Sequence, residues 1–306
     1  MSIRKVNPVI NSNRSTQRLS TGGALNPALR GGTPYGAEPG IIIKPNPAIG
    51  GTAEKRGIIS NGVKIFAIGY SDNTSTSYLL DYLIQHGVMI DGVIFPKNQI
   101  KLNWRRLIKK IQVRGVIPAI KRVPENLILR KKQISKICHQ YIDKVFFVDD
   151  LNSEEVKEIL ISNGVELLLL TATPIIKPII IDIDGLTILN AHTGWLPRYR
   201  GLDGNLKALR DGHTPGVSIH KVTEKIDAGE IYLRENFQIN YNNDSILKQV
   251  DEMELKLAGK LLVEAVNLYG KNMLKPIATS EKIGKYEPPL TKKEKKRIIQ
   301  ELQKRA

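Results

Sequence analysis

The chain is poor in cysteine: Cys138 stands alone in 306 residues. One thiol excludes an internal disulfide and a cysteine-rich zinc site, and it is compatible with a reducing, cytoplasmic setting. Long hydrophobic runs are also missing. The longest, around Val165–Ile176, is broken by Glu166 and falls short of the roughly 20 residues that span a bilayer. Met1–Leu19 has no apolar stretch of the kind a secretory signal needs. Acid is scarce in three places. Residues 1–60 carry a net +6, residues 101–136 a net +11 and residues 291–306 a net +5, of a total of +16. The remainder is therefore mildly acidic, and the basicity is regional. Regional basicity points to an anionic partner such as nucleic acid, a phosphorylated substrate or a membrane surface, and equally to solvated faces and tails.

What is present is ordinary globular material, 41% hydrophobic and 25% charged, which rules out full disorder. Residues 1–60 are the exception. Nine glycines and six prolines make up a quarter of that stretch, with no helical or strand period. It reads as a disordered arm. Its poverty in acid matches a mitochondrial transit peptide, but Pro8, Pro27 and Pro34 break any amphipathic helix there.

Order is expected from Val63. Val63–Ile68 reads as a strand, Ser77–His86 as a helix closed by Gly87, and Met89–Phe95 as a second strand. Such a β-α-β unit implies a parallel pair with a right-handed crossover. Residues 101–136 follow, where Leu102, Leu107, Ile108 and Ile111 recur at helical spacing among Arg105, Arg106, Lys109 and Lys110. Lys144–Val148 is a third strand. Ser153 caps a helix over Glu154–Ser162, and Val165–Thr171 is a continuous apolar strand suited to a sheet covered on both faces. Ile175–Ile181 is apolar but interrupted by Pro178. Thr187–Ala191, Gly216–Val222 and Ile231–Ile239 complete the strands, and Asn243-Asp244-Ser245 cap a long helix from Ile246 to Tyr269. The alternation over 63–190 predicts a doubly wound, mostly parallel α/β sheet. Three regions are expected: the arm 1–60, a catalytic domain 61–290, and a basic, helical tail 291–306.

Chemistry concentrates between Ile188 and Ile231. Asn190 and His192, two apart at a strand end, share one face. Carboxyl ends of strands are where α/β sheets open their sites. Asn supplies a neutral donor for charge developing on a carbonyl oxygen, and His an acid or base near neutral pH. Asp227 could orient the imidazole. No serine or cysteine stands in a nucleophile elbow, so the attacking group would come from a substrate.

Taken together, Asn190-Ala-His192, Leu196-Pro197-Arg-Tyr199-Arg200-Gly201, Gly216-Val-Ser-Ile-His220 and Ile226-Asp227-Ala-Gly229-Glu-Ile231 resemble the folate-dependent formyltransferase family. The similarity is detailed over 186–240 and looser from Val63 to Pro289. It implies a Rossmann-like formyltransferase fold and transfer of a formyl group from 10-formyltetrahydrofolate to an amine. It assigns Asn190 to the oxyanion, His192 to the proton and Asp227 to support of the histidine, with no metal. It places Thr171, Ala172, Thr173, Thr223, Ile226 and Gly229 around the folate. Ser71, Asn73, Ser75, Trp195 and Arg200 are candidates for the acceptor side. The loop Gly69–Ser75 precedes a helix N-terminus, a natural anion seat, although Asp72 would repel a phosphate there and a simple helix cap accounts for the same residues. Trp195 reads more readily as packed, and His220 equally as core or as active site. The implied partner is a small amine, phosphorylated or nucleotide-linked, in preference to tRNA, because little chain follows Pro289. A formyltetrahydrofolate hydrolase and a non-catalytic binding protein on the same scaffold are the competing readings. The sequence sets no oligomeric state.

Overall fold

The computed structural model describes residues 62–97, 141–242 and 245–304. The expected arm at 1–60, the basic helix of 101–136, Cys138 and the Asn243-Asp244 part of the long helix's cap lie outside the described residues.

Seven strands form one sheet in the order β3-β2-β1-β4-β5-β6-β7. They are β1 (Ile65–Gly69), β2 (Gly92–Pro96), β3 (Lys144–Val148), β4 (Leu167–Thr171), β5 (Thr187–His192), β6 (Gly216–Lys221) and β7 (Ile231–Asn236). The first five in chain order run parallel, whereas β5–β6 and β6–β7 are antiparallel pairs. The helices are α1 (Thr74–Gln85), α2 (Glu154–Ser162), α3 (Pro178–Ile181), α4 (Gly204–Arg210), α5 (Ile246–Gly270) and α6 (Lys292–Gln303). The expected doubly wound, mostly parallel sheet with a long C-terminal helix is what forms.

The inner strands β1 and β4 are buried at every residue, as a sheet covered on both faces requires. Two apolar clusters cover it. On one face Ile65, Ala67, Leu167 and Leu169 pack with Leu79 and Leu83 of α1 and Leu261 and Leu262 of α5. On the other, Phe66, Ile68, Leu168 and Leu170 pack with Val156 and Leu160 of α2 and Ile180 of α3. The chain leaves β1 toward β2 and returns to its other side as β4, so the strand order reverses between β1 and β4. A ligand crevice belongs at the carboxyl ends there.

Several boundaries differ from the sequence reading for local reasons. Helix α1 starts a turn early, at Thr74, because the Asn73 side chain accepts from the amides of Ser75 (2.7 Å) and Thr76 (3.2 Å). The apolar run Ile175–Ile181 becomes the single turn α3, with Pro178 at its first position, where a missing N–H costs nothing. Helix α4 had no counterpart in the sequence reading. Helix α6 carries a capping box between Thr291 and Glu294 and buries Ile298 and Leu302 in the same cluster as α5. No helix among the described residues is long and apolar enough to cross a membrane.

Candidate active site

Alternation on the antiparallel half of the sheet creates a polar face. Ala191, Val217, Ile219 and Leu233 turn toward the α5 cluster. Asn190, His192, Ser218, His220 and Arg234 are cross-strand or i, i+2 neighbours on the opposite face. The loop 193–203 folds back over that face. Ser218, fully buried, holds it in place: its hydroxyl donates to the Gly194 carbonyl (2.8 Å) and accepts from the Leu196 amide (3.0 Å). Arg234 donates to the Leu196 carbonyl (2.7 Å). The Leu196–Pro197 peptide is cis. Gly194 admits no side chain, because a Cβ would lie 2.7 Å from His192 Nε2.

The structure brings Asn190, His192 and Asp227 together. His192 is 7% exposed and donates from Nε2 to the Tyr199 carbonyl (2.6 Å). Its Nδ1 faces Asp227 Oδ2 at 3.5 Å. A proton arriving on Nδ1 would complete an ion pair with that carboxylate. Asp227 sits in a left-handed turn, φ +48°, and Oδ2 also accepts from the Gly201 amide (2.8 Å). Its other oxygen lies 3.6 Å from His220 Nε2.

His220 is a member of the cluster that residue patterning left undecided. Its Nδ1–H donates to the Lys221 carbonyl (2.9 Å), which leaves a lone pair on Nε2. That lone pair accepts from Asn190 Nδ2 (3.2 Å). The contact therefore fixes which end of the Asn190 amide is the NH2 and leaves its second hydrogen uncommitted among these partners. Burial first, and then the charge of His192, push the His220 pKa down, which keeps this ring neutral.

The other sequence candidates have varied duties. Thr171 is buried, its hydroxyl donating to Ile68 O (3.0 Å) and its carbonyl accepting from the Thr76 hydroxyl, so its side chain seals the β1–β4 crossing. Ala172 is exposed in a left-handed conformation, φ +63°, and Thr173 is half-buried beside it. Thr223 donates to Lys225 O (3.2 Å) within the loop 222–230. Gly229 is demanded by backbone crossing, since a Cβ there would meet the Lys221 carbonyl at 1.9 Å. The Ile226 carbonyl is held by Arg200. Asn73 caps α1, with Ser75 among the amides it takes, and Ser71 lies in the turn just before it. Trp195 is packed: its Nε1 donates to Glu281 (3.2 Å), and the Arg234 guanidinium lies 4.4 Å above its ring. No group of acids, histidines and cysteines suited to a metal ion occurs among the described residues.

A half-buried amide fixed by a neutral imidazole thus stands beside a second imidazole backed by a carboxylate, an arrangement able to present a neutral donor and a proton acceptor side by side. The family model for formyl transferase matches residues 105–266, just over half of the chain and all three of Asn190, His192 and Asp227. The chain belongs to the formyl transferase family. It is 33% identical over 148 residues to a methionyl-tRNA formyltransferase of Caldicellulosiruptor saccharolyticus, covering 46% of this chain and 45% of that protein. It is 30% identical over 118 residues to the one from Natranaerobius thermophilus, covering 38% and 36%. The chain thus spans less than half of the length of these curated relatives. The phosphoribosylglycinamide formyltransferase structure from Anaplasma phagocytophilum shares the fold, with a TM-score of 0.50 at 16% identity over 72% of this chain and 97% of that one.

Proposed function

We propose that this protein is an N-formyltransferase that moves a formyl group to the amine of an acceptor. The observation that carries the reading is the convergence of Asn190 and His192, from one strand, with Asp227, from a distant loop, within one family's match. The donor set suits 10-formyltetrahydrofolate: a neutral amide donor for the formyl oxygen, a proton acceptor beside it, the loop 171–176 after β4, and the loop 222–230 that brings Asp227 to His192. The folate supplies an activated formyl carbon. The residues supply the rest. Asn190 Nδ2 donates its second hydrogen to the oxygen that becomes negative as the acceptor amine adds. His192 takes the proton the amine loses, Asp227 stabilises it there, and the proton passes to the donor nitrogen as its bond to the formyl carbon breaks and leaves the new formamide. The Tyr199 carbonyl holds His192 and the His220 ring holds Asn190 before any substrate arrives.

For the acceptor we favour a small phosphorylated or nucleotide-linked amine, supported by the resemblance of Gly216–His220 and of the loop before α1 to enzymes acting on such amines. The relatives' names add methionyl-tRNA as an acceptor to be tested. The assay follows tetrahydrofolate release from 10-formyltetrahydrofolate with phosphorylated amines, amino-sugar nucleotides and methionyl-tRNA supplied in turn. Turnover that needs an amine, and is lost on Asn190→Ala, is the expected result and names the acceptor class. Turnover without an amine would make the protein a hydrolase. No turnover and no folate binding would end the enzymatic reading.

A further inference from the structure

We infer that Arg200 is a positioning residue for Asp227 and not a ligand of the acceptor; the inference rests on the formyltransferase reading and deepens it. The guanidinium donates twice to the Ile226 carbonyl, from Nε at 2.9 Å and Nη2 at 2.5 Å, and once to the Gly284 carbonyl, from Nη1 at 3.4 Å. The next residue, Gly201, donates its amide to Asp227 Oδ2 at 2.8 Å. The adjacent pair 200–201 therefore grips the adjacent pair 226–227 at two points. One point is the carbonyl that enters the turn, and the other is the carboxylate that leaves it.

The grip matters because Asp227 has a left-handed backbone, φ +48°, which an aspartate holds only where its surroundings over-determine it. In that conformation Asp227 sets one oxygen toward His192 and the other toward His220. Released from Ile226, the turn can relax and carry the carboxylate off His192. The third contact ties the same arginine to the irregular strap 271–290, between α5 and α6. Gly284, whose amide donates to the Pro197 carbonyl (2.8 Å), lies on that strap, and Ile277 anchors it to the Ile231 carbonyl (2.8 Å). The planar fork of Arg200 thus joins three segments that are far apart in sequence: the loop 193–203, the loop 222–230 and the strap. A lysine lacks the planar fork and cannot reproduce the paired donation to Ile226 together with the contact to Gly284 in one fixed geometry. Two of the guanidinium nitrogens face a carbonyl already in hand, and the third faces the strap, so the side chain is spent on protein.

Arg200→Ala, Arg200→Lys, Asp227→Asn and the double variant Arg200→Ala/Asp227→Asn test the inference in the full chain. Arg200→Ala is expected to lower kcat on the order of 10²-fold with the acceptor KM unchanged. Arg200→Lys should recover only part of the loss, and low-millimolar guanidinium should restore activity to Arg200→Ala. In the Asp227→Asn background the same change should cost no more than about threefold, because its effect runs through the missing carboxylate. Hydrogen exchange at the Gly201 amide gives a readout independent of turnover, and it should speed up in Arg200→Ala. A rise in acceptor KM alone would make Arg200 an acceptor ligand and overturn the inference. So would an equal loss in both backgrounds, or unchanged exchange at Gly201. A wild-type protein without turnover would sink the formyltransferase reading instead, with the exchange measurement still deciding the grip.

Discussion

At the scale of single residues, the proposed chemistry depends on one amide having one orientation. Asn190 could present either its oxygen or its NH2 to a substrate, and only the NH2 stabilises an oxyanion. His220 makes the choice by offering a lone pair, which it can do because its Nδ1–H is committed to Lys221 and burial keeps it uncharged. Two outcomes are expected. Asn190→Ala should lower kcat by about 10²–10³-fold, the usual cost of one oxyanion donor. His220→Met, which keeps bulk but removes the acceptor, should cost about tenfold in kcat, and almost nothing more when combined with Asn190→Ala. Steady-state kinetics of the three variants, with thermal melts to confirm folding, check both. Equal losses for His220→Met in the two backgrounds would show that the ring acts only as packing. Of this cluster the sequence makes Asn190 and His192 legible, because spacing by two at a strand end places them on one face. Asp227 is visible only through its motif. The duty of His220 is invisible, because a histidine alternating with Val217 and Ile219 fits a core strand equally well.

At the scale of elements, legibility follows periodicity. Strand β3 and helix α2 fall where capping and alternation put them, because Ser153 and the glutamates of the first turn mark the start and Asn163-Gly164 the end. Helix α4 escapes because nearly all of it is buried, including Asn205 and Lys207, so it has no polar stripe to betray its period. Lys207 explains itself only in three dimensions: its ammonium donates to the carbonyls of Leu202 (2.9 Å) and Glu287 (3.0 Å), joining the loop 193–203 to the strap. The strap has no period at all. Helix α6 is helical, as the sequence suggests, and its apolar positions reach the main cluster. Leu302, 2% exposed, should therefore behave as a core residue: Leu302→Ala is expected to cost about 2–4 kcal/mol in chemical denaturation. At the start of α1, Asn73→Ala removes a side chain that serves two amides, and should cost about 1 kcal/mol. A loss near zero for Leu302→Ala would mean that α6 lies on the domain without being part of it.

At the scale of the whole molecule, two titratable groups pull the pH dependence of stability in opposite directions. Glu254 on α5 faces Asn205, whose Nδ2 donates to it (2.9 Å), with Asp251, Asp203 and Lys295 close by. Burial raises its pKa to about 8, so the folded protein holds a proton that the unfolded chain releases near the ordinary value of 4.5. Stability from this group is complete below 4.5 and is lost as pH rises to about 8, at about 1.4 kcal/mol per pH unit. His220 works the other way. Its lowered pKa makes the unfolded chain the stronger proton binder below the ordinary value of 6.5, so its contribution is present above 6.5 and is lost on acidification. Between 4.5 and 6.5 the two slopes oppose each other, and from 6.5 to 8 Glu254 acts without that opposition. Glu254→Gln keeps the acceptor for Asn205 and removes the titration. The variant and the wild type should differ little at pH 4.5, and the variant should gain steadily to become more stable by about 2–5 kcal/mol at pH 8. Urea denaturation of both proteins across this range reads the difference directly, free of every other titrating group the two share. A constant gap would show that Glu254 is already charged in the folded state, with Lys295 and Asn205 sufficient to hold it so.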